Sequence, residues 1–209
     1  MRTASGPEDL KASMNRVFFI GRDEIPSAVR LSEGESLNWT LVALPGVSAD
    51  LSLEVGIDGP SCEVDIAGLY LCRSDEKLRI ALTLRHNCGG SVSRQLFKGI
   101  AGGESRVTFD GLIYVRKDAL KTKAYQENHT ILTGRGALVE TRPQFEIYAD
   151  DVECSHGATT GFLNEAELFY MRSRGIPEAE ARRLQMISFL WPVLSRLPEE
   201  AAGEIVAGL

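Results

Sequence analysis

The sequence predicts an all-β body followed by a small α-helical unit at the C-terminus. Three observations predict it. Short runs that alternate apolar and polar residues recur from Leu51 to Ala149, and alternation with period two marks a strand with one buried face. Clusters of Gly, Pro, Asp and Ser separate the runs at close, fairly regular intervals, with no helical segment between them. After Thr160 the apolar spacing changes to three and four residues, the period of a helix.

Taken in order, residues 1–14 are polar and are expected to be a flexible N-terminal segment. The β body is placed at 15–160. Leu51-Ser52-Leu53-Glu54-Val55 alternates cleanly, as do Val64-Asp65-Ile66-Ala67, the run from Leu78 to Leu84, Val107-Thr108-Phe109 and Phe145-Glu146-Ile147-Tyr148-Ala149. Asp58-Gly59-Pro60, Ser74-Asp75-Glu76, Cys88-Gly89-Gly90, Ala101-Gly102-Gly103 and Thr133-Gly134-Arg135-Gly136 are the turns between strands. This pattern fits a sandwich, a barrel or a β-solenoid, and no strict sequence repeat decides among them.

The helical unit is placed at 161–209. Asn164 is its N-cap, with Glu167 at the capping-box position and Leu163 and Leu168 as a hydrophobic staple. Gly175 stops this helix. A second helix starts near Pro177, which suits a first-turn position, and Pro192 kinks or ends it. Ala181, Leu184, Ile187, Trp191 and Leu194 form its apolar stripe. A short final helix spans Pro198 to Val206.

Length and charge narrow the function. The 209 residues make one domain, or one with an appendage, large enough to bury a sizeable core. A net charge of −6 and a pI near 5.2 argue against nonspecific nucleic-acid binding and against docking on anionic lipid. The N-terminus lacks the apolar stretch of a signal peptide, and no run approaches the roughly 20 residues needed to span a bilayer, so a cytoplasmic protein is expected. Cys62, Cys72, Cys88 and Cys154 have no paired spacing and are expected to be thiols. There is no GxxxxGK[ST] phosphate loop, so the chain is not a P-loop ATPase, and there is no GxSxG elbow and no HExxH.

Cys154-Ser155-His156-Gly157 is the strongest candidate site. Side chains two apart on a strand share a face with Cα atoms roughly 6–7 Å apart, so thiolate and imidazole can reach one iron or one small cluster. Two ligands do not close a site, and the remainder has to come from a partner chain or from sulfide. Val152 shares their parity, and by residue chemistry alone the pair reads first as packing, because a buried free cysteine behaves as a small hydrophobe. His86 and Cys88, before a Gly-Gly turn, rank second. His129 reads as a residue hydrogen-bonded to a neighbouring strand, and Asp150-Asp151 as a solvated turn.

Several runs also resemble a known family. They are Asp110-Gly111-Leu112-Ile113, Ala119-Leu120-Lys121-Thr122, Ala124-Tyr125-Gln126-Glu127-Asn128, Pro143 to Val152 and Cys154 to Thr159. Leu168-Phe169-Tyr170 and Arg172 to Ile176 continue the resemblance, which is weaker around Lys98-Gly99-Ile100. The family is SufB/SufD of iron–sulfur cluster assembly, the SufD branch in particular. The resemblance implies a right-handed parallel β-helix. It implies that Cys154 and His156 lie near a contact with SufB, where a transient cluster or iron is built, with none tightly held by the isolated chain. His156 has the stronger claim, since the SufB branch has a histidine at the matching position, and Gly157 looks SufD-like. The C-terminal unit of the family docks SufC, an ABC-type ATPase, which makes Phe169, Tyr170, Met171, Phe189, Leu190 and Trp191 docking candidates; the competing role for them is to seal the open end of the β body. Closure of the ATPase pair would strain the SufB–SufD contact and expose the Cys/His site. An unpaired β surface is also expected to give a homodimer at high concentration when SufB is absent.

Two other classes remain. A β-helical carbohydrate-active enzyme would recruit carboxylates such as Asp110, Asp118 and Asp151 on an outer groove. A homo-oligomeric β-helix interaction module would have no metal role.

Overall fold

The computed structural model describes residues 15–209, so the N-terminal segment expected at 1–14 lies outside the described residues. Eleven strands precede three helices: β1 (Asn15–Phe19), β2 (Ala28–Leu31), β3 (Ser36–Ala43), β4 (Ala49–Ile57), β5 (Glu63–Cys72), β6 (Lys77–His86), β7 (Val92–Ala101), β8 (Arg106–Val115), β9 (Thr122–Leu132), β10 (Leu138–Ile147), β11 (Val152–Phe162), α1 (Glu165–Ser173), α2 (Glu178–Leu194) and α3 (Glu199–Gly208). Odd strands form one parallel sheet in the order β1-β3-β5-β7-β9-β11, and even strands form the other, β10-β8-β6-β4-β2. The chain alternates between the sheets, which makes a parallel β-helix of about five turns. Equivalent positions on successive turns lie 23 to 32 residues apart.

The main core fills the space between the sheets. Phe18, Trp39, Leu41, Ile66 and Phe97 come from the odd sheet, and Leu53, Val55, Leu82, Phe109 and Ile113 from the even one. Even-sheet strands alternate because their outer face is wet; β6 is buried at every second residue from Leu78 to His86. The odd sheet is buried on both faces at its middle strands, and β5 is buried continuously from Ile66 to Cys72.

That second buried face identifies what the helices do. Leu190, Val193 and Leu194 of α2, Leu197, and Ile205 of α3 pack on Val42, Ala67, Leu69, Leu71 and Ile100, which project from the outer face of the odd sheet. The helical unit therefore clads the side of the β-helix and does not seal its open end. The expected stripe on α2 is corrected accordingly: Ala181 and Leu194 are buried, but Leu184 and Trp191 are exposed, and Leu190 and Val193 take the inner face. Two apolar faces compete on this helix, and the choice between them is made by the sheet beneath.

The ends of α1 follow the sequence closely. Asn164 caps the backbone N–H groups of Ala166 and Glu167, and Leu163 packs with Leu168. The second half of the capping box differs. Gln185 of α2, rather than Glu167, accepts from the Asn164 backbone N–H, at 3.1 Å. Gly175 has φ +87°, and Ile176 and Gly175 donate to the carbonyls of Met171 and Arg172, the paired bonds of a Schellman turn. Pro177 is the N-cap of α2, one place before the expected first turn. No helix among the described residues is long and apolar enough to cross a membrane.

Glu76 ties two turns together. Its buried carboxylate accepts from the backbone N–H groups of Gly46 (2.9 Å), Arg73 (2.9 Å) and Ser74 (2.7 Å). Burial opposes the charge, but these donors outweigh it and hold Glu76 below the ordinary carboxylate range. A group whose pKa falls on folding contributes stability above its unfolded pKa and loses it as the pH falls through the folded value. Glu76→Gln is expected to cost about 1–3 kcal/mol at neutral pH. Urea titrations across the acid range should show the gap to wild type closing as the carboxylate of the wild type protonates.

Candidate functional site

The interior of the β-helix changes character along its length. In one inward column of the odd sheet the register runs Trp39, Ile66, Gln95, Gln126, His156. In the next it runs Leu37, Val64, Ser93, Ala124, Cys154. Apolar residues fill the early turns, and polar ones enter from β7 onward. Buried polar groups require partners, and most of these have them. Gln126 donates to Gln95 at 2.9 Å, Asn128 to Thr141 at 3.0 Å, and the Tyr70 hydroxyl bonds Thr130.

Cys154 and His156 stand at the end of these columns on β11, with their side chains on the inward face. β11 pairs only with β9, and β10 only with β8, so both last strands present an unpaired edge. Among the described residues no further turn covers them. Inward residues that would be sealed one turn earlier are half-buried here, including Val139, Phe145, Val152 and Cys154, and His156 is exposed. The His156 ring stacks on Phe145 of the opposite sheet, with centroids 4.5 Å apart and planes 24° apart. Burial pushes the Cys154 thiol above its ordinary range, the neighbouring Glu153 charge adds to that, and a hydrogen bond with the Ala124 backbone opposes it. As a single chain the site therefore holds a protonated thiol beside an imidazole braced against an aromatic ring. A metal would have to displace the thiol proton.

Among the described residues no three His, Cys, Asp or Glu side chains come together as a metal site. Cys154 and His156 can thus supply part of a coordination shell, and a facing chain or sulfide has to complete it.

The second-ranked pair does not form a site. His86 is fully buried, its Nε2 is 2.8 Å from the Ser93 hydroxyl, and burial lowers its pKa to about 4. Cys88 lies in the following turn and donates to the Asp58 carbonyl at 2.8 Å. The strand ends at His86, so the two no longer share a face. His129 is a bridging residue, with Nδ1 at 2.7 Å from Thr159 and Nε2 at 3.1 Å from Glu127. The carboxylates of the carbohydrate-enzyme reading are each paired. Asp110 binds Arg79 and Arg142, Asp118 binds Arg116, and Asp151 binds Lys121.

The docking candidates separate into three groups. Tyr170, Met171 and Phe189 line an open groove of about 910 Å³ between the helices and the end of β11, together with Thr160, Phe162 and Leu184. Phe169 and Trp191 are exposed elsewhere on the helices. Leu190 is fully buried against the odd sheet and is withdrawn as a docking residue. Phe145 and Gln126 were not singled out from the sequence as site residues. Both lie in runs that carry the family resemblance, but only the register places them beside His156.

The family model for the SUF system FeS cluster assembly SufBD core domain matches residues 26–189. The chain is 39% identical over 144 residues to the iron-sulfur cluster assembly protein SufD of Escherichia coli (strain K12), covering 69% of this chain and 34% of that protein. It is 36% identical over 125 residues to a SufBD family protein of Synechocystis, covering 60% of this chain and 27% of the relative. A SufBD family protein of Mycobacterium leprae is 27% identical over 175 residues, covering 80% and 45%. The chain thus spans between about a quarter and a half of the length of these relatives.

Proposed function

The chain belongs to the SufBD core family of the SUF iron–sulfur cluster assembly system, and from that premise we propose that it is a SufD-like, non-catalytic subunit of an assembly complex. In this reading the open end of the β-helix abuts a SufB-type scaffold. The unpaired edges of β10 and β11 supply backbone donors and acceptors for strand addition, and Cys154 and His156 face the seam. The nascent cluster or iron is the cargo of that seam, and the scaffold supplies the remaining ligands. Tyr170, Met171, Phe189, Phe169 and Trp191 offer apolar surface for a SufC-type ATPase.

The observation that carries this reading is the coincidence of the two features. Among the described residues the only inward Cys-x-His pair lies on the last strand of an uncapped β-helix, where any partner that stacks on the open end must cover it. The same edges would let two copies pair when no scaffold is present.

The test is anaerobic co-purification of this chain with SufB and SufC candidates from its own source, with iron and sulfide analysis. Wild type is expected to form a complex that carries iron and sulfide. Cys154→Ser/His156→Ala should keep the complex and lose most of both. No complex with either candidate would overturn the proposal.

A further inference from the structure

The three histidines are held in two different ways. His86 bonds Ser93, and His129 bonds both Thr159 and Glu127. The contact that holds the His156 ring is a face: it stacks on Phe145, with centroids 4.5 Å apart and planes 24° apart. Register explains how Phe145 comes to be there. Its inward column on the even sheet runs Val29, Val55, Leu84, Ile113, Phe145. Four aliphatic residues are followed by one aromatic ring, on the edge strand β10, where it reaches across the open end to β11. Val55, Leu84 and Ile113 are fully buried and Phe145 packs on their cluster, so the ring has a firm floor. A hydrogen bond to an imidazole occupies one of its two nitrogens. A stack occupies neither, because both nitrogens lie on the rim of the ring. A metal on a ring nitrogen lies close to the plane of the ring, so whatever sets that plane sets the direction of the bond.

We propose that Phe145 is a positioning residue for His156: the stack across the lumen fixes the plane of the imidazole, and so the direction in which it offers a lone pair to iron at the seam. The proposal rests on the role given above to the Cys154/His156 site. Phe145 acts through His156 and does not itself touch the cargo. Because Phe145 stands on β10 and His156 on β11, the stack also sets the ring against both edges on which a scaffold would pair. His156 is exposed, and without such a platform its side chain would exchange among several rotamers. Ordering it would then oppose each binding event.

The orientation is measurable without any metal. Three-bond couplings give the χ1 populations of His156, and the ring-current displacement of its carbon-bound protons reports the stack, both read by NMR on the full chain. His156→Gln assigns its signals against those of His86 and His129. Wild type is expected to show one dominant rotamer, with the ring protons shifted upfield. Phe145→Leu keeps an apolar side chain and removes the face. It should lower the ratio of that rotamer to the others about twofold to tenfold, the scale of one aromatic pair, and abolish the upfield shift. Phe145→Tyr, which keeps the face, should retain both, and Phe145→Met serves if Phe145→Leu folds poorly. Unchanged His86 signals report an intact core. In the anaerobic complex with SufB and SufC candidates, Phe145→Leu should carry about twofold to tenfold less iron when iron is limiting, and Phe145→Tyr the wild-type amount. Wild-type rotamer populations in Phe145→Leu overturn the proposal, as does wild-type iron loading by that variant, or a loss in Phe145→Tyr as large as in Phe145→Leu. A wild-type complex without iron overturns instead the assembly role of the site, while the metal-free measurement still decides whether Phe145 orients the ring.

Discussion

Gly99→Ala is expected to destabilise the β-helix by about 2–6 kcal/mol. Tyr70 is fully buried on β5, and its ring crosses over Gly99 on the next turn, so that its hydroxyl reaches Thr130 and Asn128 of β9. A Cβ at Gly99 would meet the ring at 1.8 Å, which is impossible without moving it. Displacing the ring overpacks a close-packed core and leaves buried hydroxyl and amide groups without partners. Asn128 also donates to Thr141 of β10. The damage would therefore spread to β10, one of the two edge strands that frame the candidate site. Equilibrium urea unfolding measures the loss, and a double-mutant cycle identifies its cause. In a Tyr70→Ala background, Gly99→Ala should cost little, because the ring it collides with is gone. A cost that is the same in both backgrounds would show that the ring does not lie across Gly99.

The second expected result separates two neighbours on α2. Leu190→Ala removes a fully buried side chain from the contact between the helices and the odd sheet, and should cost about 2–5 kcal/mol. Trp191→Ala alters a residue that is 58% exposed and should change stability by no more than about 0.5 kcal/mol. If Trp191 contributes to docking an ATPase, the order reverses in a binding measurement. Aromatic anchors at an interface carry about 2 kcal/mol or more, so Trp191→Ala should weaken association with a SufC-type partner at least roughly tenfold. Calorimetry on the chain and titration with the ATPase, run on both variants, give the two readouts. Full-strength binding by Trp191→Ala would exclude it from the docking surface and leave Phe169 and the groove around Tyr170 and Phe189 as the remaining candidates.

Much of the β body was legible because its even sheet has one wet face. The alternation at Leu51–Val55 and at Leu78–Leu84 is the direct consequence of a surface that is apolar on one side only. The helix ends were legible for a local reason as well. Asn164 and Gly175 act on backbone groups within a few residues of themselves, and no distant contact is needed to specify them. Strands of the odd sheet were harder to read. β5 alternates only at its start, over Val64-Asp65-Ile66, before it is buried on both faces, and β9 turns Gln126, Asn128 and Thr130 inward where apolar residues would mark the period. The solenoid repeat was invisible for a related reason. What recurs every 27 to 31 residues along this column is which way a side chain points, while the residue itself drifts from Trp39 through Ile66 and Gln95 to His156.

The sequence by itself determined the two-part architecture, the local caps and the Cys-x-His pair, because each depends on residues close along the chain. Tertiary structure alone decided three things. It decided that the helices clad the side of the β-helix, because α2 has two apolar faces and only the sheet selects between them. It separated His86 from Cys88, because one lies inside the last residue of a strand and the other in the turn beyond. And it brought Gln126 and Phe145 to His156, because register between strands about thirty residues apart is fixed by the stacking of whole turns and by nothing in either strand alone.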